Sequence, residues 1–236
     1  MGRIGNIINK KGKQDAKRAK IFTKYARLIS VATKMGGGDP EYNATLKNAI
    51  DKAKSENMPN DNIERAIKKG AGAGEGESYE HITYEGYGPG GVAVIIETLT
   101  DNKNRTAGFV RSTLTKRGGN LGTDGSVSYL FERKGVIVLD KAYDEDKLME
   151  DILELDILDF ISEEDSFVIY TDPSNFIKIK EALEKKGIDK FLISEVTFVP
   201  NNYISLDEET TEKVTNLIDA LTDLDDVQAV YHNLEI

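Results

Sequence analysis

The chain has 236 residues, of which 31% are charged and 39% hydrophobic, and it carries a formal net charge of −10. This length is sufficient for two or three domains with their own hydrophobic cores, and the charged fraction is typical of a soluble protein. The absence of cysteine excludes disulfide bonds, thiolate metal sites and a catalytic thiol.

No segment of the sequence is expected to enter a membrane. The longest uninterrupted apolar run, Val92–Ile96, is far too short to span a bilayer. The basic N-terminus lacks the apolar stretch of a secretory signal. We therefore expect a cytoplasmic protein without a membrane partner, and a monomer is the simplest expectation for this size and charge.

Positive charge is concentrated at the start of the chain. Residues 1–34 hold ten Lys or Arg against one acidic residue, a net charge of +9. Residues 35–70 hold six of each sign, and residues 71–236 hold 15 basic and 34 acidic residues, a net charge of −19. Such a chain presents one surface to a polyanion and repels that polyanion elsewhere. Nucleic acid is the partner that this asymmetry favours.

The first predicted element is an amphipathic helix over residues 14–34. Its apolar residues recur at three- and four-residue spacing, and its basic residues follow a neighbouring stripe. The helix is expected to end at the glycine triplet 36–38. A second, short helix is predicted to bury Leu46, Ala49, Ile50 and Ala53.

A third helix is predicted after Pro59. Asp61 and Glu64 have the spacing of a capping box at its start, and Gly70 is expected to end it. Residues 70–78 have the glycine-rich composition of a flexible linker. The linker would separate a small helical domain from the rest of the chain.

Strands and helices alternate after the linker. Apolar runs predict strands at 91–99, 126–132, 135–139, 158–161, 167–171, 191–198 and 227–231. Helical periodicity predicts helices at 103–116, 144–155, 173–186 and 207–222. The order within residues 135–199 is βαββαβ, which is typical of a ferredoxin-like arrangement.

We therefore predict an α+β protein of three domains, in which an N-terminal three-helix domain precedes two ferredoxin-like α/β domains. The predicted boundaries are 1–76 for the basic helical domain and its Gly-rich linker, 77–134 with 200–236 for a discontinuous α/β domain, and 135–199 for an inserted ferredoxin-like domain.

Three segments rich in glycine or polar residues lie around the helix predicted at 103–116. Residues 84–91 lack the dinucleotide-binding and P-loop spacings, so we interpret them as a tight connection into the next strand. In residues 101–106, Asp101 or Asn102 is the expected N-cap, and the alternative is an anion-binding patch at the helix N-terminus. Residues 116–125 are expected to leave the helix through a glycine stop.

The basic stripe of the first helix is the strongest functional candidate. Ordinary solvated helices mix acidic and basic residues to form i,i+4 pairs, and this stripe contains no interleaved acids. We predict that it neutralises backbone phosphates, and that three residues of the following domain extend the contact. The predicted nucleic-acid-binding residues are Lys10, Lys11, Lys13, Lys17, Arg18, Lys20, Lys24, Arg27, Arg105, Lys116 and Arg117.

The sequence does not predict a catalytic site. His81 and His232 are far apart, and no zinc-protease, Walker or nucleophile-elbow motif is present. The acidic residues of the C-terminal half, including Asp223, Asp225 and Asp226, are scattered, so we interpret them as solvating groups that repel anions. We expect no enzymatic activity, no metal and no cofactor.

Several segments resemble the YebC/PmpR family. They occur in order over nearly the whole chain, at residues 13–24, 36–40, 57–67, 84–93, 104–106 and 118–127. The resemblance implies a helical domain followed by two α/β domains, one of them discontinuous. Members are described as DNA-binding transcriptional regulators. A mitochondrial relative is a translational activator. Bacterial members have been linked to the ribosome and to the translation of difficult, proline-rich stretches.

The resemblance and the charge pattern together predict a nucleic-acid-binding regulatory protein that acts on transcription through duplex DNA. The alternative is a ribosome-associated translation factor that binds ribosomal RNA through the same helix. One departure lies at the N-terminus. Many members begin with Gly-His-Ser-Lys-Trp, whereas this chain has Gly2-Arg3-Ile4-Gly5-Asn6, so a contact that relatives make through the His or Trp is missing or changed.

Overall fold

A computed structural model describes residues 18–72 and 79–235. Seven α-helices lie in these ranges: α1 (Arg18–Gly36), α2 (Ala44–Ser55), α3 (Asn60–Gly72), α4 (Lys103–Lys116), α5 (Glu145–Ile152), α6 (Phe176–Lys185) and α7 (Glu208–Thr222). The strands of the same ranges are β1 (Glu80–Tyr87), β2 (Ala93–Thr100), β3 (Asn120–Leu121), β4 (Phe131–Asp140), β5 (Ile157–Ser162), β6 (Ser166–Thr171), β7 (Phe191–Pro200) and β8 (Val227–His232). None of the helices in the described ranges has the length and apolar character needed to cross a membrane.

The described residues form two compact units. One unit contains residues 128–203, and the other contains residues 18–72, 79–127 and 204–235. Each unit has one four-stranded antiparallel sheet, and the second unit also contains the three N-terminal helices. The predicted α+β class is therefore confirmed, whereas the division into three domains at the stated boundaries stays a prediction.

The N-terminal helices α1, α2 and α3 share one core. Ile29, Leu46 and Ile63 are buried there, one from each helix. Asn43 joins two of the helices, because its Oδ1 accepts a hydrogen bond from Leu46 N at the start of α2 while its Nδ2 donates to two carbonyl oxygens at the end of α1. The asparagine is thus both the N-cap of α2 and a connection to α1. The predicted residues 14–17 of the first helix lie outside the described residues.

Gly70 allows α3 to lie directly on α1. A Cβ atom at this position would clash with the Ser30 carbonyl oxygen and lie 2.7 Å from Thr33 Cβ. The prediction that Gly70 ends the helix is wrong, since α3 continues to Gly72 and absorbs the first residues of the predicted linker. The predicted capping box is also wrong, because α3 begins at Asn60 and Asp61 lies inside its first turn. Linker residues 73–78 lie outside the described ranges.

The first sheet has the strand order β3-β1-β2-β8, with all neighbours antiparallel. Helices α4 and α7 cover one face, where Val94 and Ile96 of β2 pack with Leu114 and Leu217. Strand β1 is not among the predicted strands, because its residues are mostly polar and form no apolar run. Residues 84–87, predicted as part of a connection, belong to β1, and the turn itself is made at Pro89–Gly91. The left-handed φ angles of +69° and +77° at its last two positions require glycine.

The second sheet has the strand order β5-β6-β4-β7, again with antiparallel neighbours. This is the order of the ferredoxin-like arrangement that the βαββαβ pattern predicts. Helices α5 and α6 bury its core, which includes Ile137, Leu148, Phe167 and Leu183.

The two strands predicted at 126–132 and 135–139 are wrong as separate elements. Residues Ser128–Leu130 form a 3-10 turn, and β4 runs without a break from Phe131 to Asp140. Gly135 lies inside this strand because Phe176 of α6 and Thr171 of β6 pack against its backbone, and a Cβ atom there would clash with both. The glycine therefore marks close packing rather than a strand end.

The two sheets share one spatial arrangement despite a different chain order. In each sheet both outer strands directly follow a helix in the chain. By position in the sheet, β2-α4-β3 corresponds to β4-α5-β5, and α7-β8 corresponds to α6-β7. The remaining inner strand, β1, precedes β2 in the chain, whereas its equivalent β6 lies in the middle of its unit. The first sheet is therefore a ferredoxin-like arrangement whose third strand comes first in the sequence.

We predict that Gly70→Ala destabilises the helical part of the protein. The added methyl group would force α3 away from Ser30, which corresponds to overpacking worth about 1–3 kcal/mol. Thermal unfolding followed by circular dichroism measures the change. Gly72→Ala is the matched control, because a Cβ atom at that exposed position of the same helix would meet nothing within 4 Å. Equal unfolding temperatures for the two variants would contradict the proposed contact.

Candidate nucleic-acid interface

Helix α1 contains five basic residues and no acidic residue. Its apolar side packs into the core of the three N-terminal helices. Lys20 is exposed, whereas Lys24 and Arg27 are partly buried. The basic side chains of this helix therefore have different surroundings along its length.

The structure separates the predicted nucleic-acid-binding residues into three groups. Lys10, Lys11, Lys13 and Lys17 lie outside the described residues, and Arg18 begins α1 with a side chain that is also outside them. Lys24, Arg27 and Arg105 make bonds within the protein. Lys20, Lys116 and Arg117 are exposed, although the Arg117 guanidinium reaches the Asn216 carbonyl oxygen at 3.5 Å. Phosphate contact by each of these residues stays a prediction.

Arg27 attaches α1 to the first sheet. Its Nη1 donates to Asp226 Oδ1 at 2.8 Å, to the Leu99 carbonyl oxygen at 3.1 Å and to the Asp225 carbonyl oxygen at 3.2 Å. Its guanidinium carbon also lies 5.4 Å from the centre of the Tyr79 ring. One helical turn earlier, Lys24 Nζ donates to the Thr222 carbonyl oxygen at the end of α7. These contacts hold α1 against the end of β2 and the α7–β8 turn.

Asp226 is the common partner of this attachment. Its side chain is only 8% exposed, and its second oxygen, Oδ2, accepts from Thr106 Oγ1 at 2.6 Å and from Arg105 Nη2 at 2.9 Å. Thr100 Oγ1 lies 3.3 Å from the same oxygen. The carboxylate therefore joins α1, the end of β2, the first turn of α4 and the turn before β8.

The surroundings of Asp226 favour its charged form. Burial by itself would raise its pKa, but the hydrogen bonds from Thr106, Arg105 and Arg27 together outweigh burial, and the pKa lies below its ordinary value. The negative charge acts in turn on its neighbours. It raises the pKa of Arg105, and it adds to the effect of burial in raising the pKa of Tyr84.

Side chains in the first turn of α4 contact a carboxylate of the protein itself. Asn102 is the N-cap, because its Oδ1 accepts from Arg105 N at 3.1 Å, which decides between the two predicted candidates. Asp226 accepts from the side chains of Arg105 and Thr106 in the first turn, and binding of an external anion at this helix end stays a prediction. The interpretation of Asp226 as a solvating group is wrong, since it is buried and bonded to two arginines. In the sequence, nothing distinguishes Asp226 from its neighbours Asp223, which is half-buried, and Asp225, which is exposed.

A second buried carboxylate, Glu85, fixes the glycine-rich loop after α4. Its two oxygens accept from Gly125 N at 2.9 Å and Val127 N at 2.7 Å, and its carbonyl oxygen accepts from Gly122 N. Tyr87 Oη donates to the Ser126 carbonyl oxygen in the same loop. The loop begins with the predicted glycine stop, since Gly118 follows α4 with a φ of +79°. The segments at 84–93 and 118–127, which both resemble the family, are therefore joined to each other by hydrogen bonds.

Comparison with known families identifies the chain. A family model described as the TACO1/YebC protein N-terminal domain matches residues 2–73, and one described as the TACO1/YebC second and third domain matches residues 79–234. The chain belongs to the TACO1/YebC family. The membership predicted from its sequence segments is thereby confirmed.

Individual TACO1/YebC relatives match over almost their full length. A protein of Clostridioides difficile is 59% identical over 100% of both chains, and one of Bacillus subtilis is 53% identical over 97% of this chain and 95% of its own. Both are named as a probable transcriptional regulatory protein. A crystal structure of a conserved hypothetical protein from Aquifex aeolicus is 50% identical, covers 96% of this chain and 93% of its own, and has a TM-score of 0.82.

We predict that Asp226→Asn lowers the free energy of unfolding by about 1–3 kcal/mol near neutral pH, because two arginines lose a buried charged partner. The pKa of Asp226 is depressed on folding, so its stabilisation is present above about pH 4 and is lost as pH falls through the folded-state pKa. The difference between wild type and variant should therefore shrink with acidification. Urea unfolding at a series of pH values measures it.

The control for this experiment is Asp225→Asn. It removes an adjacent carboxylate that is exposed, so it should change stability little at any pH. A loss of stability that is equal for the two variants, or that is independent of pH for Asp226→Asn, would contradict the assigned role of this carboxylate.

Proposed function

We propose that this protein is a nucleic-acid-binding regulator of transcription that docks on duplex DNA through the basic N-terminal segment ending in α1. The observation that carries the proposal is the charge of that segment, +9 over residues 1–34 against −19 over residues 71–236. The names of its relatives, which describe transcriptional regulatory proteins, support the process. We further propose a cytoplasmic, non-enzymatic monomer with the three predicted domains.

The basic residues of α1 have two different roles in this proposal, attachment to the protein and contact with phosphate. Lys24 holds the helix against the end of α7 and Arg27 holds it against the first sheet, and their bonds to the protein compete with bonds to phosphate. Lys20 is exposed one turn before Lys24. We therefore propose that Lys20 and the preceding group Lys10, Lys11, Lys13, Lys17 and Arg18 supply the phosphate contacts, while Lys24 and Arg27 fix the direction from which they are presented.

Phosphate neutralisation gives this arrangement a recognisable signature. Each lysine or arginine that contacts a backbone phosphate releases condensed counterions, so affinity falls as salt rises. Such contacts position a protein on DNA without reading its sequence. The acidic remainder of the chain would repel the same polymer and restrict docking to one side of the molecule.

We predict that Lys17→Glu with Lys20→Glu weakens binding to duplex DNA and flattens its salt dependence. Two lost phosphate contacts should reduce the slope of log affinity against log salt by about 2. Fluorescence anisotropy with a labelled duplex at several salt concentrations gives the slope. The matched control is Lys147→Glu with Lys178→Glu, which makes the same charge change at exposed positions of the unit at 128–203.

An unchanged slope in the Lys17/Lys20 variant, or an equal effect of the Lys147/Lys178 variant, would contradict docking through the N-terminal segment. The same titration with a folded RNA tests the choice of polymer. Tighter binding to the folded RNA than to duplex DNA at equal salt would overturn the assignment to transcription and favour the translational alternative.

A further inference from the structure

Helix α4 is a second helix without acidic residues. It belongs to the strongly acidic part of the chain, and yet its charged residues are all basic: Lys103, Arg105, Arg111 and Lys116. Arg105 and Lys116 are among the predicted nucleic-acid-binding residues, whereas Lys103 and Arg111 are not. Arg105 is committed to Asp226 and Asp101, whereas within residues 18–72 and 79–235 neither Arg111 nor Lys116 forms an ion pair.

In two other helices of the acidic part, a lysine is neutralised by a glutamate of the same helix. Lys180 of α6 and Lys213 of α7 each pair with a glutamate four residues away, at 3.8 Å and 2.6 Å respectively. Such pairing is the usual way for a solvated helix to accommodate charge. The absence of acidic residues from α4 leaves the positive charge of Arg111 and Lys116 available to an external anion.

The outward face of α4 combines this charge with an exposed aromatic ring. The buried residues Thr106, Val110 and Leu114 define the inward face. At roughly 100° per residue, two adjacent stripes point outward. One contains Arg105, Phe109, Ser112 and Lys116, and the other contains Asn104, Gly108, Arg111 and Thr115. Phe109 is 54% exposed and is one of several large apolar side chains that the described residues leave open to solvent.

Gly108 lies next to Phe109 and has no structural explanation. It is exposed, and a Cβ atom built on it would meet nothing within 4 Å. A glycine inside a helix costs about 0.5–1 kcal/mol relative to alanine. At Gly70 the close approach of another helix explains this cost, but no element of the described protein approaches Gly108. A glycine at such a position suits a ligand that comes close to the helix backbone.

We propose that the outward face of α4 binds an unpaired stretch of nucleic acid, with Phe109 stacked on a base, Arg111 and Lys116 on flanking phosphates, and the strand passing closely over Gly108. This inference rests on the proposed function and adds a second contact surface to it. Exposed aromatic rings set among basic residues are how proteins hold single strands, because every unpaired base offers a π-face. In an intact duplex those faces are already stacked and are not accessible to a ring on a helix surface.

The absence of tryptophan from the chain makes the contact directly observable. Phe109→Trp introduces a single tryptophan fluorophore and preserves an aromatic ring. Stacking on a base quenches indole emission. We expect a single strand of about 20 nucleotides, longer than a typical site of about 4–16, to quench this emission, and a duplex of the same sequence to quench it little.

Two further substitutions at Phe109 separate stacking from apolar contact. Phe109→Leu keeps an apolar side chain without a π-face, and Phe109→Ala removes both. We expect each to weaken single-strand binding about 5- to 100-fold without changing the salt slope, because no charge is altered. Arg111→Ala with Lys116→Ala should instead reduce the magnitude of the slope, by about 1.4 for two phosphate contacts on a single strand.

Gly108→Ala tests the close approach, because its effects on stability and on binding should be opposite. Alanine at this open helical position should raise the unfolding temperature by about 1–4 °C. If the strand passes closely over the helix, the added methyl group should weaken binding roughly fivefold or more. Gly72→Ala, at another open helical position, serves as control and should leave binding unchanged.

The outcomes distinguish this inference from the proposed function. Wild-type affinity in Phe109→Leu and Gly108→Ala, alongside weakened binding by the Lys17/Lys20 variant, would overturn the α4 surface and leave the proposed function intact. Equal quenching of Phe109→Trp by duplex and single strand would overturn the assignment to unpaired nucleic acid. Failure of the wild-type protein to bind either DNA would overturn both proposals.

Discussion

The buried carboxylate of Asp226 is the interaction on which the arrangement of the larger unit depends. It binds Arg27 of α1, Arg105 and Thr106 of α4, and lies beside Thr100 at the end of β2. A buried charge left without partners is strongly unfavourable, so each of these bonds helps to keep Asp226 in its buried position. One side chain thereby couples the N-terminal helices to the first sheet at the same point where α4 begins.

This coupling gives the basic residues two different roles. Arg27 and Arg105 form ion pairs with the buried carboxylate of Asp226, which neutralises part of their positive charge. Their main role is therefore to hold the helices in place, and they attract an external anion less strongly than an unpaired cation would. Lys20, Arg111 and Lys116 are exposed. The proposed contact surfaces therefore lie on helices whose orientation is fixed by inward-facing arginines, and the formal count of basic residues overstates how many are available to a phosphate.

The sequence predicts most of the architecture because apolar periodicity determines which helix faces and strands are buried. The ferredoxin-like order in residues 135–199 follows from six such elements. Strand β1 was not predicted because its own residues are mostly polar. It is held as a strand by hydrogen bonding to β2, and this pairing is not visible in the sequence. Gly70 and Gly135 misled the predictions for the same reason, since glycine at a close packing contact cannot be distinguished in one sequence from glycine at the end of an element.

The candidate site was predictable only where it is local in sequence. A run of lysines without acidic residues can be recognised directly in the sequence as a candidate phosphate-binding segment. The Asp226 network, in contrast, joins residues separated by as many as 199 positions. Burial and partners at that separation are properties of the fold, and a cluster of three aspartates offers no signal of which one turns inward. Gly108 shows the converse. The glycine can be read from the sequence, but only the structure shows that the space around it is open. A glycine that lowers helix stability without a packing reason is a candidate for a binding contact.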